Sequence, residues 1–141
     1  MTMQNGLRVA ATIENVRRIS DFVQDAGKRL RLTDDALFDI DLAVEEASTN
    51  IVRHAYQPGQ AGDILVRVAA TDDGIRIELT DWGQPFDADA AHLAVDVPIE
   101  VRAEGGMGVL LVHKLMDEVT RTTASIPGGP NVLTMVKHLG R

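Results

Sequence analysis

The chain is 141 residues long, carries 14 basic and 21 acidic side chains for a net charge of −7, and contains no cysteine. The lack of cysteine excludes disulfides, thiolate zinc sites and a cysteine nucleophile, and the acidic balance argues against a general nucleic-acid binder. The length fits a single domain over residues 1–141. No signal peptide or membrane-spanning stretch is recognisable, so we expect a cytoplasmic protein without a membrane partner.

The first half of the chain predicts one strand and two helices. Residues 7–13, after a tail over residues 1–6, form a short apolar run typical of a strand. Residues 14–31 place apolar side chains at helical spacing. A longer helix is predicted over residues 33–56, because Thr33 is a suitable N-cap, acidic residues follow it, and Pro58-Gly59 ends the pattern.

The second half predicts two hairpins with a loop and a helix between them. Residues 64–70 and 75–80 are rich in β-branched side chains and flank Thr71-Asp72-Asp73-Gly74, a pattern typical of a β-hairpin. The remaining segments are, in order, a loop, a helix and the two strands of a closing hairpin: residues 81–104, 108–118, 119–125 and 132–139. This order of elements predicts an α+β fold, a two-layer sandwich in which helices cover one face of a largely antiparallel sheet.

Two side chains of the second helix form an acid–amide pair. Glu46 and Asn50 are one helical turn apart, so they share a face. A carboxamide oxygen is a hard ligand suited to Mg²⁺, and a carboxylate can accept the proton of an attacking hydroxyl or water. A solvated helix face carries the same residue types, so the pair alone does not separate a functional site from ordinary surface.

Two glycine-containing segments follow. Asp81-Trp82-Gly83 ends a predicted strand, and its carboxylate either accepts a hydrogen bond from an exocyclic amine such as that of adenine or serves as a turn residue. Gly83 would let a base approach the backbone. Gly105-Gly106-Met107-Gly108 precedes a helix, where backbone N–H groups can bind phosphate oxygens or the glycines can act as a hinge. Thr134, on the last strand, fits simple β propensity unless the other motifs hold.

Four segments, in this order, resemble the motifs of the GHKL ATPases, in particular the branch of serine kinases and anti-sigma factors. Residues 46–56, EASTNIVRHAY, resemble the asparagine box, and residues 81–87, DWGQPFD, resemble the first glycine box. Residues 105–111, GGMGVLL, resemble the second glycine box, and residues 133–137, LTMVK, resemble the closing strand. The resemblance implies a histidine-kinase-like ATPase domain of the Bergerat type, with a mixed, mostly antiparallel sheet.

The resemblance also implies an ATP site. Asn50 would hold Mg²⁺ against the phosphates, Glu46 would be the general base, and Asp81 would accept a hydrogen bond from the adenine amine with Gly83 beside it. The implied phosphate-binding residues are Gly105, Gly106, Gly108 and, on the closing strand, Thr134. Residues 87–104 would be the ATP lid.

The function implied by the resemblance is partner switching. Members of this branch use ATP to phosphorylate a serine of a STAS-domain antagonist, an anti-anti-sigma protein, and they sequester a sigma factor or an analogous target, as homodimers. The alternative is a nucleotide-binding module that sequesters a partner without kinase activity, which has less use for a base such as Glu46. A histidine-kinase fragment would need a dimerising helical pair before residue 7, and a gyrase-type or chaperone-type ATPase would need a further domain after residue 141, so we expect neither.

Overall fold

The computed structural model describes residues 6–85 and 106–139. Within these ranges lie five strands and three helices, which are β1 Gly6–Ala10, α1 Ile13–Arg29, α2 Asp34–His54, β2 Asp63–Thr71, β3 Gly74–Asp81, α3 Gly106–Leu115, β4 Glu118–Thr122 and β5 Asn131–His138. The predicted lid over residues 87–104, Gly105 and residues 1–5 of the predicted tail lie outside the described residues.

The strands form one sheet in the order β1-β2-β3-β5-β4. Every strand pair within the described ranges is antiparallel. The register pairs Thr71 with Gly74, so the predicted hairpin closes through Asp72 and Asp73 alone. In this strand order β5, the last described strand, lies between β3 and β4 rather than at an edge. These observations confirm the predicted α+β class and largely antiparallel sheet.

The two long helices form where local sequence signals predict them. The Thr33 side chain accepts a hydrogen bond from the Ala36 backbone N–H at 3.1 Å and thereby caps α2. Acidic residues occupy the first turn of α2 and basic residues its last turn, which suits the helix dipole. None of the helices in the part of the chain that the structure describes is both long enough and apolar enough to span a membrane.

The predicted strand over residues 119–125 is too long, since β4 ends at Thr122. Two further predicted boundaries are wrong because backbone groups are bonded to distant elements. β1 ends at Ala10 rather than at residue 13, since the Ala11 N–H donates to the Gly62 carbonyl at 2.8 Å. α3 runs over Gly106–Leu115 rather than over residues 108–118. It stops there because the Asp117 N–H already donates to the Val136 carbonyl of β5 at 2.8 Å.

The hydrophobic core lies between the sheet and the three helices. On β2, β3 and β5 alternate side chains point into it, so one face of the sheet is buried and the other is open. The largest fully buried side chains are Ile19, Ile40, Ile51, Ile64, Ile75, Ile77, Leu79, Met135, Val23, Val44, Val66 and Asn131. Asn131 is the one polar member of this set, and it marks the end of the core where the site begins.

A histidine joins three elements at the other end of the sheet. His138 Nδ1 lies 3.2 Å from Asp73 Oδ1 in the β2–β3 turn, and its Nε2 lies 2.9 Å from Glu118 Oε2 at the start of β4. Partial desolvation lowers the pKa of His138, but the hydrogen bonds and negative charges of Glu118 and Asp73 outweigh this effect and raise the pKa above its ordinary value. We call these three residues the His138 cluster.

Candidate nucleotide site

Two buried polar side chains meet where β3 ends and β5 begins. Asp81 and Asn131 are cross-strand partners, and each is only 1% exposed. Asn131 Nδ2 donates to Asp81 Oδ1 at 3.0 Å, and the same oxygen accepts the Gly83 backbone N–H at 3.0 Å. Among the described residues, Asp81 Oδ2 receives no hydrogen bond, so this oxygen is left as an acceptor for a ligand.

The loop after Asp81 is fastened to the end of α2. The Gln84 N–H donates to the Ala55 carbonyl at 2.7 Å. A Cβ added to Gly83 would lie 2.1 Å from the Ala55 carbonyl oxygen, so the backbones approach too closely for any side chain. Gly83 thus makes room for the end of α2 and holds Asp81 close to that helix, while its role in letting a base approach stays a prediction.

The acid–amide pair lies in the last three turns of α2. Asn50 is 6% exposed, yet its carboxamide forms no hydrogen bond with any described residue. Glu46 is half-buried one turn earlier, while its neighbour Glu45 is exposed. The amide atoms of Asn50 are not fully enclosed, so a ligand or water can reach them and supply the missing hydrogen bonds. Asn50 is therefore the strongest single indication of a binding site on α2.

A lysine on β5 anchors the end of α3. Lys137 Nζ donates to the Leu115 carbonyl at the end of α3 at 2.6 Å and to Asp39 Oδ2 in the first half of α2 at 3.1 Å. α3 has 10 residues and packs against α2, and these two bonds hold its last turn beside the first half of α2.

The first turn of α3 contains Gly106 and Gly108, two of the predicted phosphate-binding residues. The first N–H groups of a helix have no partner inside the helix, and the positive end of the helix dipole favours anions. A backbone anion site at the start of α3 and the acid–amide pair of α2 thus lie on two helices that pack against each other. Gly105 lies outside the described residues.

This set of donors and acceptors fits a nucleotide. A carboxylate oxygen at the end of β3 can accept from a base, and glycine N–H groups at the start of α3 can bind phosphate. The described residues contain no group of three or more His, Cys, Asp or Glu side chains that could hold a metal by themselves. Mg²⁺ at nucleotide sites takes most of its ligands from phosphate oxygens and water and few from the protein, and the carboxamide oxygen of Asn50 is suited to be one of these protein ligands.

Residues 9–137 match the family of histidine kinase-like ATPase domains. The chain belongs to this family. It is 36% identical over 140 residues to the serine-protein kinase RsbW of Halalkalibacterium halodurans, with 96% of this chain and 83% of that protein covered. It is 33% identical over 118 residues to the serine-protein kinase RsbW of Bacillus subtilis, with 80% and 74% covered. The chain falls in the serine-protein kinase branch of the histidine kinase-like ATPases.

Two solved structures share the fold. One contains the RsbU and RsbW domains of a Mycobacterium tuberculosis protein, with a TM-score of 0.67 and 21% identity over 96% of this chain and 33% of that chain. The other is the histidine kinase domain of a blue-light activated kinase of Erythrobacter litoralis, with a TM-score of 0.55 and 22% identity over 74% of this chain and 45% of that chain. Both likenesses support the fold.

One site residue expected of this ATPase lies elsewhere. Thr134 pairs with Glu78 and with Thr120, on the face of the sheet away from the helices. Its neighbour Met135 is fully buried, and adjacent strand residues point to opposite faces. The structure therefore places Thr134 on the opposite face of the sheet from Asp81 and Asn131.

Asn131 is the residue that sequence reasoning missed. A signal was present, because strand alternation places Asn131 on the same face as Met135, four residues on, and places Thr134 on the opposite face. What the sequence alone does not supply is the register of β3 on β5, which sets Asn131 against Asp81.

An aromatic pair supports the outer side of this ATPase site. The Tyr56 hydroxyl donates to the Asp63 carbonyl at 2.6 Å and accepts the Trp82 backbone N–H at 3.0 Å. Burial, and to a lesser extent the negative charge of Asp81, raise the pKa of Tyr56, so this hydroxyl stays protonated at neutral pH. The Trp82 ring lies under the Arg8 guanidinium at 4.4 Å. Trp82 is the only tryptophan and follows Asp81 directly, so its fluorescence is a natural probe of the site.

Proposed function

We propose that this protein-serine kinase phosphorylates a serine of a STAS-domain anti-anti-sigma protein and sequesters a sigma factor or an analogous target. In the proposed cycle the unphosphorylated antagonist displaces the target, and phosphorylation of the antagonist restores sequestration. The protein acts in the cytoplasm as a homodimer, without direct contact to nucleic acid or membrane. The motif resemblance and the two relatives named serine-protein kinase RsbW support this proposal.

The observation that carries the proposal is the arrangement of Asn50 and Glu46 on α2. The Asn50 residue is mostly buried, but its carboxamide is accessible and forms no hydrogen bond with a described residue, which suits a ligand of Mg²⁺. Glu46 lies one turn away and half-exposed, so a protein hydroxyl can reach it. Phosphoryl transfer depends mainly on positioning, charge neutralisation and a base that accepts the hydroxyl proton. We assign the base to Glu46, and phosphate positioning to Asn50 with the first turn of α3.

Charge provides the release step of the proposed switch. The chain has a net charge of −7, and a phosphoserine adds roughly −1.5 to −2 charges at neutral pH. The product therefore binds a kinase of the same sign less well than the substrate does. This effect requires no conformational change in the kinase.

The test is phosphorylation of a STAS-domain protein encoded in the same genome. The kinase, Mg-ATP and the candidate antagonist are mixed, and intact mass is measured. We expect one added phosphate on the antagonist. Glu46→Gln should retain ATP binding, measured by calorimetry, and lose transfer. Glu45→Gln is the matched control, because it makes the same chemical change at the neighbouring exposed position, and it should leave transfer unchanged.

Two results would contradict parts of the proposal. If the Glu46→Gln variant still transfers phosphate to the antagonist, Glu46 is not the general base. A stable complex that binds ATP but never yields phosphoserine would favour the second candidate, a nucleotide-binding module that sequesters its partner without kinase activity. Sequestration is tested separately, by asking whether the kinase holds a sigma factor of the same genome on a size-exclusion column and whether the unphosphorylated antagonist displaces it.

A further inference from the structure

Both ends of the Asn131 side-chain amide form hydrogen bonds, which link β3, the loop that follows it and the segment after β4. Its Nδ2 donates to Asp81 Oδ1 and to the Gly83 carbonyl, both at 3.0 Å, and its Oδ1 accepts the Ala124 N–H at 2.9 Å. It is 1% exposed. Because the backbone N–H of Ala124 can only donate, the oxygen end of the amide must face Ala124 and the nitrogen end must face Asp81.

This orientation has a direct consequence for Asp81. The bond from the Gly83 N–H is local, two residues along the chain, and moves with the loop. The bond from Asn131 comes from 50 residues away and ties the carboxylate to the sheet. The amide NH2 group can only donate hydrogen bonds, so Asn131 always presents a donor to Asp81 Oδ1. The carboxylate is thereby held in one rotation, with Oδ2 as the oxygen available to a ligand.

We infer that Asn131 is a positioning residue that sets the base preference of the site. By holding Asp81 Oδ1, it presents Oδ2 as an acceptor to an exocyclic amine, the group that distinguishes adenine from purines with hydrogen or a carbonyl at that place. A carbonyl would face Oδ2 acceptor to acceptor. The inference rests on the proposed function, since it takes Asp81 as the base-binding residue.

A purely structural role for Asn131 would give a different result. Such a brace would hold the β4–β5 turn through Ala124 and the loop through Gly83, and its removal would weaken every nucleotide alike. A positioning role weakens only nucleotides that carry the amine. The two readings are separated by comparing ATP with purine ribonucleoside triphosphate, which has the same ring, sugar and phosphates but no exocyclic amine.

The experiment measures dissociation constants for both nucleotides by isothermal titration calorimetry with Mg²⁺ present. The wild-type chain should prefer ATP, since a hydrogen bond to a charged group contributes about tenfold to a hundredfold. In Asn131→Ala the preference should fall by roughly tenfold while the affinity for the analogue stays within about twofold. Asn15→Ala, which removes an asparagine at the start of α1 that bonds the Ala10 carbonyl, is the matched control and should change neither constant.

A second variant protects the test against misfolding. Asn131→Thr suits a strand and keeps one hydroxyl donor, which can serve Asp81 or the Gly83 carbonyl but not both, so the preference should again fall. An equal loss of affinity for both nucleotides, or an unchanged preference for ATP in both Asn131 variants, would overturn the inference. Asp81→Asn separates it from the proposed function. If Asp81→Asn abolishes the preference for ATP and the Asn131 variants do not, Asp81 binds the base but Asn131 does not position it. If it leaves the preference intact, the base assignment of Asp81 itself fails.

Discussion

Removal of the Lys137 ammonium should loosen α3 from the rest of the domain. The Lys137 side chain is 16% exposed and the Asp39 side chain is 32% exposed, so the pair is only partly screened by water. Lys137→Met keeps the aliphatic stem and removes two charge-assisted hydrogen bonds, one to Asp39 and one to the last carbonyl of α3. Each such bond contributes about 1.5 to 3 kcal/mol when well buried. After a discount for the exposure of Asp39, we expect a loss of about 2 to 3 kcal/mol.

The assay is thermal and urea unfolding, followed by circular dichroism and by Trp82 fluorescence. For a chain of this size the expected loss lowers Tm by roughly 5 to 10 °C. Arg76→Met is the matched control, because its contact with Glu78 is 3.8 Å long and both side chains are substantially exposed, and it should cost less than about 0.5 kcal/mol. A stability of Lys137→Met within 0.5 kcal/mol of wild type would refute the view that this lysine anchors α3.

Four further predictions follow from the described contacts. Gly83→Ala should destabilise the fold by about 3 kcal/mol in urea unfolding, because its Cβ would overlap the Ala55 carbonyl oxygen; a neutral result would contradict the close approach. Tyr56→Phe should cost about 1 to 2 kcal/mol, since two backbone groups lose their partner, and should shift Trp82 emission. The raised pKa of His138 means that its cluster stabilises the fold fully below the unfolded value near 6.5 and loses that contribution as pH rises through the folded pKa. His138→Gln should therefore flatten the dependence of Tm on pH in this range, and an unchanged profile would count against the cluster. Thr134→Val should leave the ATP dissociation constant within about twofold, because the side chain lies on the open face; a larger change would restore Thr134 to the site.

Local signals were sufficient for the part of the site that lies on α2. The cap at Thr33, the acidic first turn and the apolar stripe depend on residues within a few positions of one another, so the helix and its register were predictable. Once the helix is fixed, its period places Glu46 and Asn50 on one flank. The apolar stripe also predicts which face of α2 is buried. The partnerless amide of Asn50, by contrast, became visible only when its surroundings were known.

Contacts between distant segments account for what the sequence did not show. Lys137 and Asp39 are 98 residues apart, and no local pattern pairs them. The close packing of Gly83 on Ala55 depends on where a loop meets the end of a helix. The choice of Thr134 instead of Asn131 followed a motif resemblance, while the alternation of buried residues on β5 pointed to Asn131. For Asn131, the sequence alone does not give the register in which β5 pairs with β3.

The position of β5 inside the sheet affects how the protein is made. β5 is the last described strand in sequence, yet it lies between β3 and β4 and supplies Asn131 to the site. A nascent chain therefore cannot complete the sheet until residues 131–138 have left the ribosome, and until then one side of β3 exposes its unpaired backbone. Because these contacts span much of the chain, closure of the sheet should be a slow step of folding. Premature termination before β5 would yield a chain with neither a closed core nor a nucleotide pocket, a natural substrate for chaperones and proteases.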